Sequence, residues 1–344
     1  MGSKTGIEWT DSTWNPLRGC SRVSEGCRNC YAETMAARFS GPGQPHAGLA
    51  VMRNGKPSWT GKVELVEKHL LDPLKWKPGQ PIYDATTGKR VGNDASRPRR
   101  IFVNSMSDLF HEDVTDEMRD RIFAVMGLCP QHVFQVLTKR PERMLAYFAK
   151  PNGFRFTWRE GYIQNAGYAI KPEGHFALSV WPLPNVWLGV SVENQAAADE
   201  RIPLLLQTPA AVRFISAEPL LGLVNLFWPN HYLSLNRRVV FGQLGKERIY
   251  DGLDWVICGG ESGPGARPMQ EDWVRSLLNR CQGTNVPFFF KQWGEWLPAM
   301  CDGATDRTGA QVLNASDQPQ RVGKKAAGAL LDGREWKQFP VEGV

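Results

Sequence analysis

Short apolar runs recur along this 344-residue chain, and each one breaks off into polar or small residues. Ile101-Phe102-Val103 leads into Asn104-Ser105-Met106-Ser107-Asp108, and His132 to Leu137 leads into Thr138-Lys139-Arg140. Val186 to Val190 leads into Ser191-Val192-Glu193-Asn194, and Val212 to Ile215 leads into Ser216-Ala217-Glu218-Pro219. Trp255-Val256-Ile257 ends in Cys258-Gly259-Gly260-Glu261-Ser262-Gly263, and Pro287 to Phe290 ends in Lys291-Gln292-Trp293-Gly294-Glu295. Continuous apolar runs of this length predict strands buried on both faces, and so a parallel sheet.

Helical patterns fall between several of the runs. Thr115 is placed as an N-cap, with Asp116-Glu117 in the first turn and Met118, Ile122, Phe123 and Met126 at helical spacing. Pro141 to Phe148 reads as a second helix with proline at its start. Gln195 to Leu206 reads as a third, which Pro203 should bend or end, and Glu271 to Cys281 as a fourth. Alternating strands and helices predict an α/β fold of βα units, here a partial, TIM-like (β/α)6-type barrel. In such a barrel the chemistry lies at the C-terminal ends of the strands, so the polar tails should converge on one mouth.

The barrel is expected over residues 1–296, with a peripheral C-terminal extension over 297–344. Stretches at about 41–100, 150–184 and 223–252 break the rhythm and read as insertions, plausible lids over the mouth. The first holds one amphipathic piece, Val63 to Trp76, and the last an extra strand at Arg238 to Phe241.

Composition changes this picture little. No run approaches the ~18 apolar residues of a membrane span, and Met1-Gly2-Ser3-Lys4 opens no secretory leader. The expectation is a cytoplasmic protein with no membrane partner. A net charge of +6 and a pI near 8.9 permit a nucleic-acid partner without demanding one. Lys89-Arg90, Arg97 to Arg100, Arg237-Arg238 and Lys324-Lys325 are either a phosphate-contacting surface or solvated charge. Most of the 13 tryptophans belong in a core. Trp293 and Trp296 sit beside polar residues at a strand end, where a ring could stack on a substrate.

The cysteines change it most. Seven is an odd count, which favours thiols or metal ligation over a disulfide framework. Cys20, Cys27 and Cys30 share one loop with the spacing C-x6-C-x2-C. That loop follows the first strand candidate, Ile7 to Leu17, and leads into a helix from Tyr31 to Phe39. Three thiolates can hold three corners of a metal centre. Structural zinc would want a fourth ligand, and His46, His69 and His111 are candidates at no standard spacing. An iron–sulfur cluster on three cysteines keeps one iron open. Three uncommitted thiols are the remaining reading. Cys258 suits a small buried strand residue, while Cys129, Cys281 and Cys301 lie away from the mouth.

A barrel whose first strand is followed by a three-cysteine loop resembles the radical S-adenosylmethionine superfamily. The resemblance implies a [4Fe-4S] cluster on Cys20, Cys27 and Cys30, with S-adenosyl-L-methionine chelated at the open iron. It also implies an electron donor and cleavage to a 5′-deoxyadenosyl radical. The superfamily commonly spaces its cysteines C-x3-C-x2-C with an aromatic before the last. Here the first gap is six residues, Asn29 precedes Cys30, and Tyr31 follows it. The chain is also similar to a group of phage and bacterial proteins of unknown function that carry a three-cysteine motif. It resembles them in Trp14-Asn15-Pro16, Gly26-Cys27-x-x-Cys30-Tyr31-Ala32, Leu137-Thr138-Lys139-Arg140-Pro141, Gly189-Val190-Ser191, Ser216-x-Glu218-Pro219-Leu220 and Gly259-Gly260-Glu261-Ser262-Gly263, over roughly residues 5–296. Some of those proteins are similar in layout to spore photoproduct lyase, a radical enzyme that repairs DNA. That implies a nucleic acid or nucleotide as substrate. The rival is a non-catalytic nucleic-acid-binding protein stabilised by zinc or iron–sulfur.

Ser105, Asp108, Thr138, Glu218, Gly259, Gly260 and Glu261 are the expected cofactor-binding residues. Lys139, Arg140, Asn194, Lys291 and Trp293 are the expected substrate-binding ones. Glu218 could hold ribose hydroxyls or an amine, or be tied to Arg213 or Lys291. Lys139 and Arg140 could hold a carboxylate or phosphate. Gly259-Gly260 lets backbone approach a ligand, or only makes a tight turn. The Gly-Gly-Glu segment of radical enzymes, which contacts the methionine amine, follows their second strand. Here it follows the sixth, so that role is not carried over. No residue is singled out as the catalytic hydrogen donor.

Overall fold

Seven strands pair in one parallel sheet among the described residues, in the order in which they occur in the chain. The structure, a computed structural model, describes residues 5–83, 90–149, 181–226, 252–299, 301–305, 311–314 and 317–340. The strands are β1 (Ser12–Trp14), β2 (Arg99–Val103), β3 (His132–Thr138), β4 (Val186–Ser191), β5 (Val212–Ala217), β6 (Trp255–Gly259) and β7 (Phe288–Gln292). The sheet curls into a half-barrel, and β1 does not pair with β7. The fold is mixed α/β. Its helices are α1 (Tyr31–Arg38), α2 (Asp116–Gly127), α3 (Pro141–Phe148), α4 (Gln195–Gln207) and α5 (Glu271–Thr284), with short turns besides. No described helix lies between β5 and β6, so the regular alternation of a (β/α)6 barrel is met only loosely.

Several strands run further than their apolar cores. Ser191 still pairs with Ser216, and Gly259 with Gln292. Backbone pairing needs no apolar side chain, so the polar tails continue the ladder into the mouth. The first strand is shorter than Ile7 to Leu17. Only Ser12–Trp14 joins the sheet, and Leu17–Arg18 turns away to pair with Glu64–Leu65. Pro16 between them has no N–H to donate to a ladder.

The two faces divide the apolar residues. Ile101, Phe134, Leu188, Ile215, Val256 and Phe290 point outward, into a core shared with Ile122 and Phe123 of α2 and Leu277 of α5. Phe102, Trp187, Phe214, Trp255 and Phe289 line the inside with Trp9 and Phe339. Gly189 is required there: a Cβ on it would meet the Phe214 ring at 2.6 Å. The inside of the half-barrel is thus a packed aromatic floor, and the mouth opens above it.

Thr115 caps α2 through its hydroxyl, which accepts from Met118 N at 3.3 Å. Pro203 does not end α4, which runs on to Gln207. The carbonyl that this proline deprives of a partner belongs to Asp199, on the exposed side. The 41–100 stretch contributes two hairpins, Ala50–Arg53 with Lys56–Trp59 and Gln80–Tyr83 with Arg90–Asp94. Val63 to Trp76 is a short strand followed by two short helical turns. The expected strand at Arg238 to Phe241 lies outside the described residues, as does most of the other two insertions.

The C-terminal segment is not peripheral. Ala327, Leu331 and Trp336 are buried in the main core. Residues 336–338 run along the outer edge of β7, where Phe290 N donates to Trp336 O at 2.7 Å and Gln338 N to Phe288 O at 3.1 Å. They cover an edge that would otherwise be open. Lys337 Nζ reaches Glu8 Oε2 at 2.7 Å, joining the two chain ends. No described helix is long and apolar enough to cross a membrane.

His132 opens β3 fully buried, and burial followed by the nearby Arg99 charge pushes its pKa down to about 4. The fold therefore holds the ring neutral. This stabilisation is complete above the unfolded value near 6.5 and is lost as pH falls through about 4. By pH 4 the native state should be weaker on this account by roughly 3 kcal/mol. Urea unfolding at pH 7 and pH 4.5 should show a smaller acid loss in His132→Gln than in wild type. Equal losses would assign the acid sensitivity to other groups.

Candidate functional site

The strand tails do converge. A cavity of about 360 Å³ opens at the C-terminal ends of the strands, at the lower end of the range for small-molecule sites. Cys20, Cys27 and Cys30 line one side of it, and Ser191, Ser216, Glu218 and Lys291 the other. Trp9, Phe102 and Leu137 form the floor between them.

The cysteine loop is fastened to the strand ends by buried charge. It starts at Gly19, whose φ is +90° and whose added Cβ would meet Lys62 O at 2.1 Å. The Ser21 hydroxyl takes a bond from Arg140 Nη2 at 2.7 Å. His111 Nε2 lies 2.9 Å from the same oxygen. Because His111 Nδ1 accepts from Asp113 N, the neutral ring carries its proton on Nε2 and donates to Ser21. Burial, then the Arg140 charge, holds this histidine below its ordinary pKa. Arg22 forks onto the buried Glu33 of α1 at 2.6–3.0 Å. Ser24 donates to Glu193 Oε1 at 2.8 Å, and Gly26 lies flat on the same carboxylate, where a Cβ would come to 2.3 Å. Asn29 donates to Glu261 Oε2 at 3.0 Å, and Arg267 donates to Glu25 O at 3.0 Å.

The carboxylates that hold the loop are themselves paired. Burial would raise Glu193, but Lys139 and Arg201, at 2.8 and 2.9 Å, outweigh it and hold the group below its usual range. Glu261 is buried too, and Arg267 and Asn29 draw it down in the same way. Asp108 accepts from Thr138 Oγ1, Phe110 N, Lys139 N and Arg140 Nη1 at 2.7–3.1 Å.

Each sulfur has polar atoms close by. Arg140 Nη1 lies 3.9 Å from Cys20 Sγ, and Ser24 Oγ lies 3.9 Å from Cys27 Sγ. Cys30 is the N-cap of α1, and the amides of Glu33 and Ala32 favour its thiolate. Burial works the other way. It pushes Cys20 up to about 12, with Asp108 adding and Arg140 opposing, and it raises Cys30 as well. The thiols are thus held neutral until a positive centre draws off their protons. Among the described residues no group of three His, Cys, Asp or Glu is gathered to hold a metal ion. His69 is paired with Asp72 instead, and His111 with Ser21.

The expected residues are placed unevenly. Ser105, Asp108, Thr138, Glu218, Gly260, Glu261, Lys139, Arg140 and Lys291 reach the cavity. Asn194 caps α4 through its side chain, accepting from Ala197 N at 3.0 Å, and does not line the cavity. Trp293 is 1% exposed, packs on Phe290, and donates its indole N–H to Leu330 O. Gly260 makes a close approach to backbone: a Cβ there would meet Trp293 O at 1.9 Å. Gly259 packs on the Glu218 side chain. Glu218 is tied to Lys291 at 2.6 Å rather than to Arg213, and it accepts from Trp9 Nε1 at 3.4 Å. Neither Glu218 nor Lys291 is bonded to the cysteine loop in these pairings, so this pair faces the cavity from the opposite wall.

Sequence reading passed over Glu193, Asn29, Arg267 and Trp9. Glu193 stood in a strand tail that was already flagged, so position alone could have found it. Asn29 and Arg267 gave no local signal. Tyr31, at the rim beside Cys30, is 72% exposed and lines the cavity, where Trp293 had been expected.

Comparison with known families gives one match: a family described as "Protein of unknown function (DUF5131)" matches residues 4–340. No curated protein and no solved structure matches the chain.

Proposed function

The chain belongs to the DUF5131 family of proteins of unknown function, and from that premise we propose that it is a radical S-adenosylmethionine-type iron–sulfur enzyme acting on a nucleic acid or nucleotide. The half-barrel is then a partial β/α barrel of the kind that superfamily uses. One observation carries the reading: three sulfurs from one anchored loop line a single cavity at the C-terminal strand ends. A guanidinium lies by one, a hydroxyl by another and a helix N-terminus by the third. Such surroundings suit thiolates that ligate a cluster.

Cys20, Cys27 and Cys30 would hold the [4Fe-4S] cluster, and the rest of the cavity would take S-adenosyl-L-methionine. Together, when bound, they would supply a one-electron reductive cleavage of the sulfonium, with the electron coming from an outside donor. The protein's own part is to orient and to exclude water. The aromatic floor of Trp9 and Phe102 closes the cavity below. Glu218, braced by Lys291 and Trp9, would accept hydroxyl or amine donors from the ligand. Asp108 and Glu261 contribute by fixing the loop. At the rim, Tyr31 offers an exposed ring to a base and Arg28 an exposed guanidinium to phosphate.

The test is reductant-dependent release of 5′-deoxyadenosine by anaerobically reconstituted protein given S-adenosyl-L-methionine. Binding to single-stranded DNA or RNA should also weaken steeply between about 50 and 200 mM salt. One zinc per chain, no iron, and salt-sensitive nucleic-acid binding without deoxyadenosine would establish the non-catalytic alternative.

A further inference from the structure

We propose that Arg140 is a positioning residue for Cys20, and that its guanidinium, held against that sulfur, raises the reduction potential of the cluster. The inference rests on the iron–sulfur reading above. Arg140 was expected to bind an anionic substrate, but its donors are committed elsewhere. The side chain is 2% exposed. Nε donates to Glu112 at 2.9 Å, and Nη1 to Asp108 at 3.1 Å. Nη2 donates to the Ser21 hydroxyl at 2.7 Å and the Ser21 carbonyl at 3.2 Å. What remains of Nη1 points to Cys20 Sγ at 3.9 Å. A planar fork with this many fixed partners cannot turn away from the sulfur.

Its neighbour grips the other end of the same gap. Lys139 Nζ holds Glu193 Oε1 at 2.8 Å, and Glu193 holds Ser24 and packs under Gly26. Two successive residues at the end of β3 therefore clamp both ends of the six-residue stretch between Cys20 and Cys27. A loop of that length would otherwise leave its first sulfur free to wander. The electrostatic consequence follows from the same geometry. A cluster gains negative charge on reduction, and a cation with an N–H aimed at a ligand sulfur favours that state.

Arg140→Met and Arg140→Lys decide the matter, through two readouts. The first is the midpoint potential of the reconstituted protein, from a redox titration followed by electron paramagnetic resonance. Wild type should be the most positive, Arg140→Lys lower, and Arg140→Met lowest, with iron content retained. The second is tryptic cleavage of the metal-free protein after Arg28, which should be several-fold faster in Arg140→Met as the loop loosens. Unchanged potentials with iron retained overturn the proposal. Should wild type take up no cluster, the iron–sulfur reading fails on its own, and an unchanged cleavage rate then overturns the clamp as well. Arg140→Met leaves Asp108 short of a partner, and circular dichroism reports whether it folds. If it does not, Arg140→Lys alone is decisive, because a single ammonium cannot serve Ser21, Asp108 and Cys20 together.

Discussion

Replacing any one of Cys20, Cys27 or Cys30 with Ala is expected to abolish cluster binding. Wild-type protein reconstituted without oxygen should hold about four irons per chain. It should show a broad sulfur-to-iron absorbance that bleaches on reduction, while each variant should show none. The effect is all or nothing because the loop supplies three thiolates and the open corner belongs to the ligand. No other cysteine stands ready: Cys129, Cys258 and Cys281 are buried in the core. Burial also pushes Cys129 and Cys281 up to about 12, which disfavours the thiolate that metals need. Stability should change little, since the loop's charged anchors do not depend on the sulfurs. The checks are iron analysis, visible spectra and a melting curve on the same samples. Stoichiometric zinc in place of iron, or full iron in any of the three variants, would remove the cluster from this site.

The positions of the chemistry were legible in the sequence, while the partners were not. Strand ends could be read because apolar runs stop where they leave the core, and residues such as Glu218 and Lys291 follow at once. The cysteine loop could be read because its spacing is local. What Asp108 and Glu261 do was hidden, because their partners come from distant parts of the chain. Asn29 reaches Glu261 across 232 residues of sequence, and Cys20 meets Arg140 across 120. A carboxylate at a barrel mouth reads as ligand-facing until the loop it fastens is in place. Trp293 misled for a related reason. Its neighbours Gln292 and Glu295 are polar, but the ring turns outward beneath Leu330, a contact made by a segment read as peripheral.

That segment carries the largest stability effect. Ending the chain after Val322 is expected to leave it unfolded and insoluble, although the removed residues look unremarkable in composition. Gly, Ala and Lys dominate them, and the packing is concentrated in a few side chains. Leu331 and Trp336 sit in the main core. Phe339 closes the bottom of the half-barrel, 5.4 Å from the Trp255 ring and 5.2 Å from Phe289, with Arg100 stacked 3.7 Å from its own centre. Truncation would also uncover the β7 edge and strand the indole N–H groups of Trp293 and Trp255, which donate to Leu330 O and Gln338 O. Emptying one large aromatic site costs about 3–5 kcal/mol, and whole domains are stable by only about 5–15 kcal/mol. Losing two such sites, a leucine and an edge together exhausts that margin. Trp336→Ala alone should lower the unfolding free energy by about 3–5 kcal/mol in urea, with the fold retained. A truncated chain that stays soluble and melts like wild type would make the segment the peripheral extension its composition suggests. The same result would leave the outer edge of β7 open to pair with another chain, which analytical ultracentrifugation of the truncated protein would reveal as concentration-dependent association.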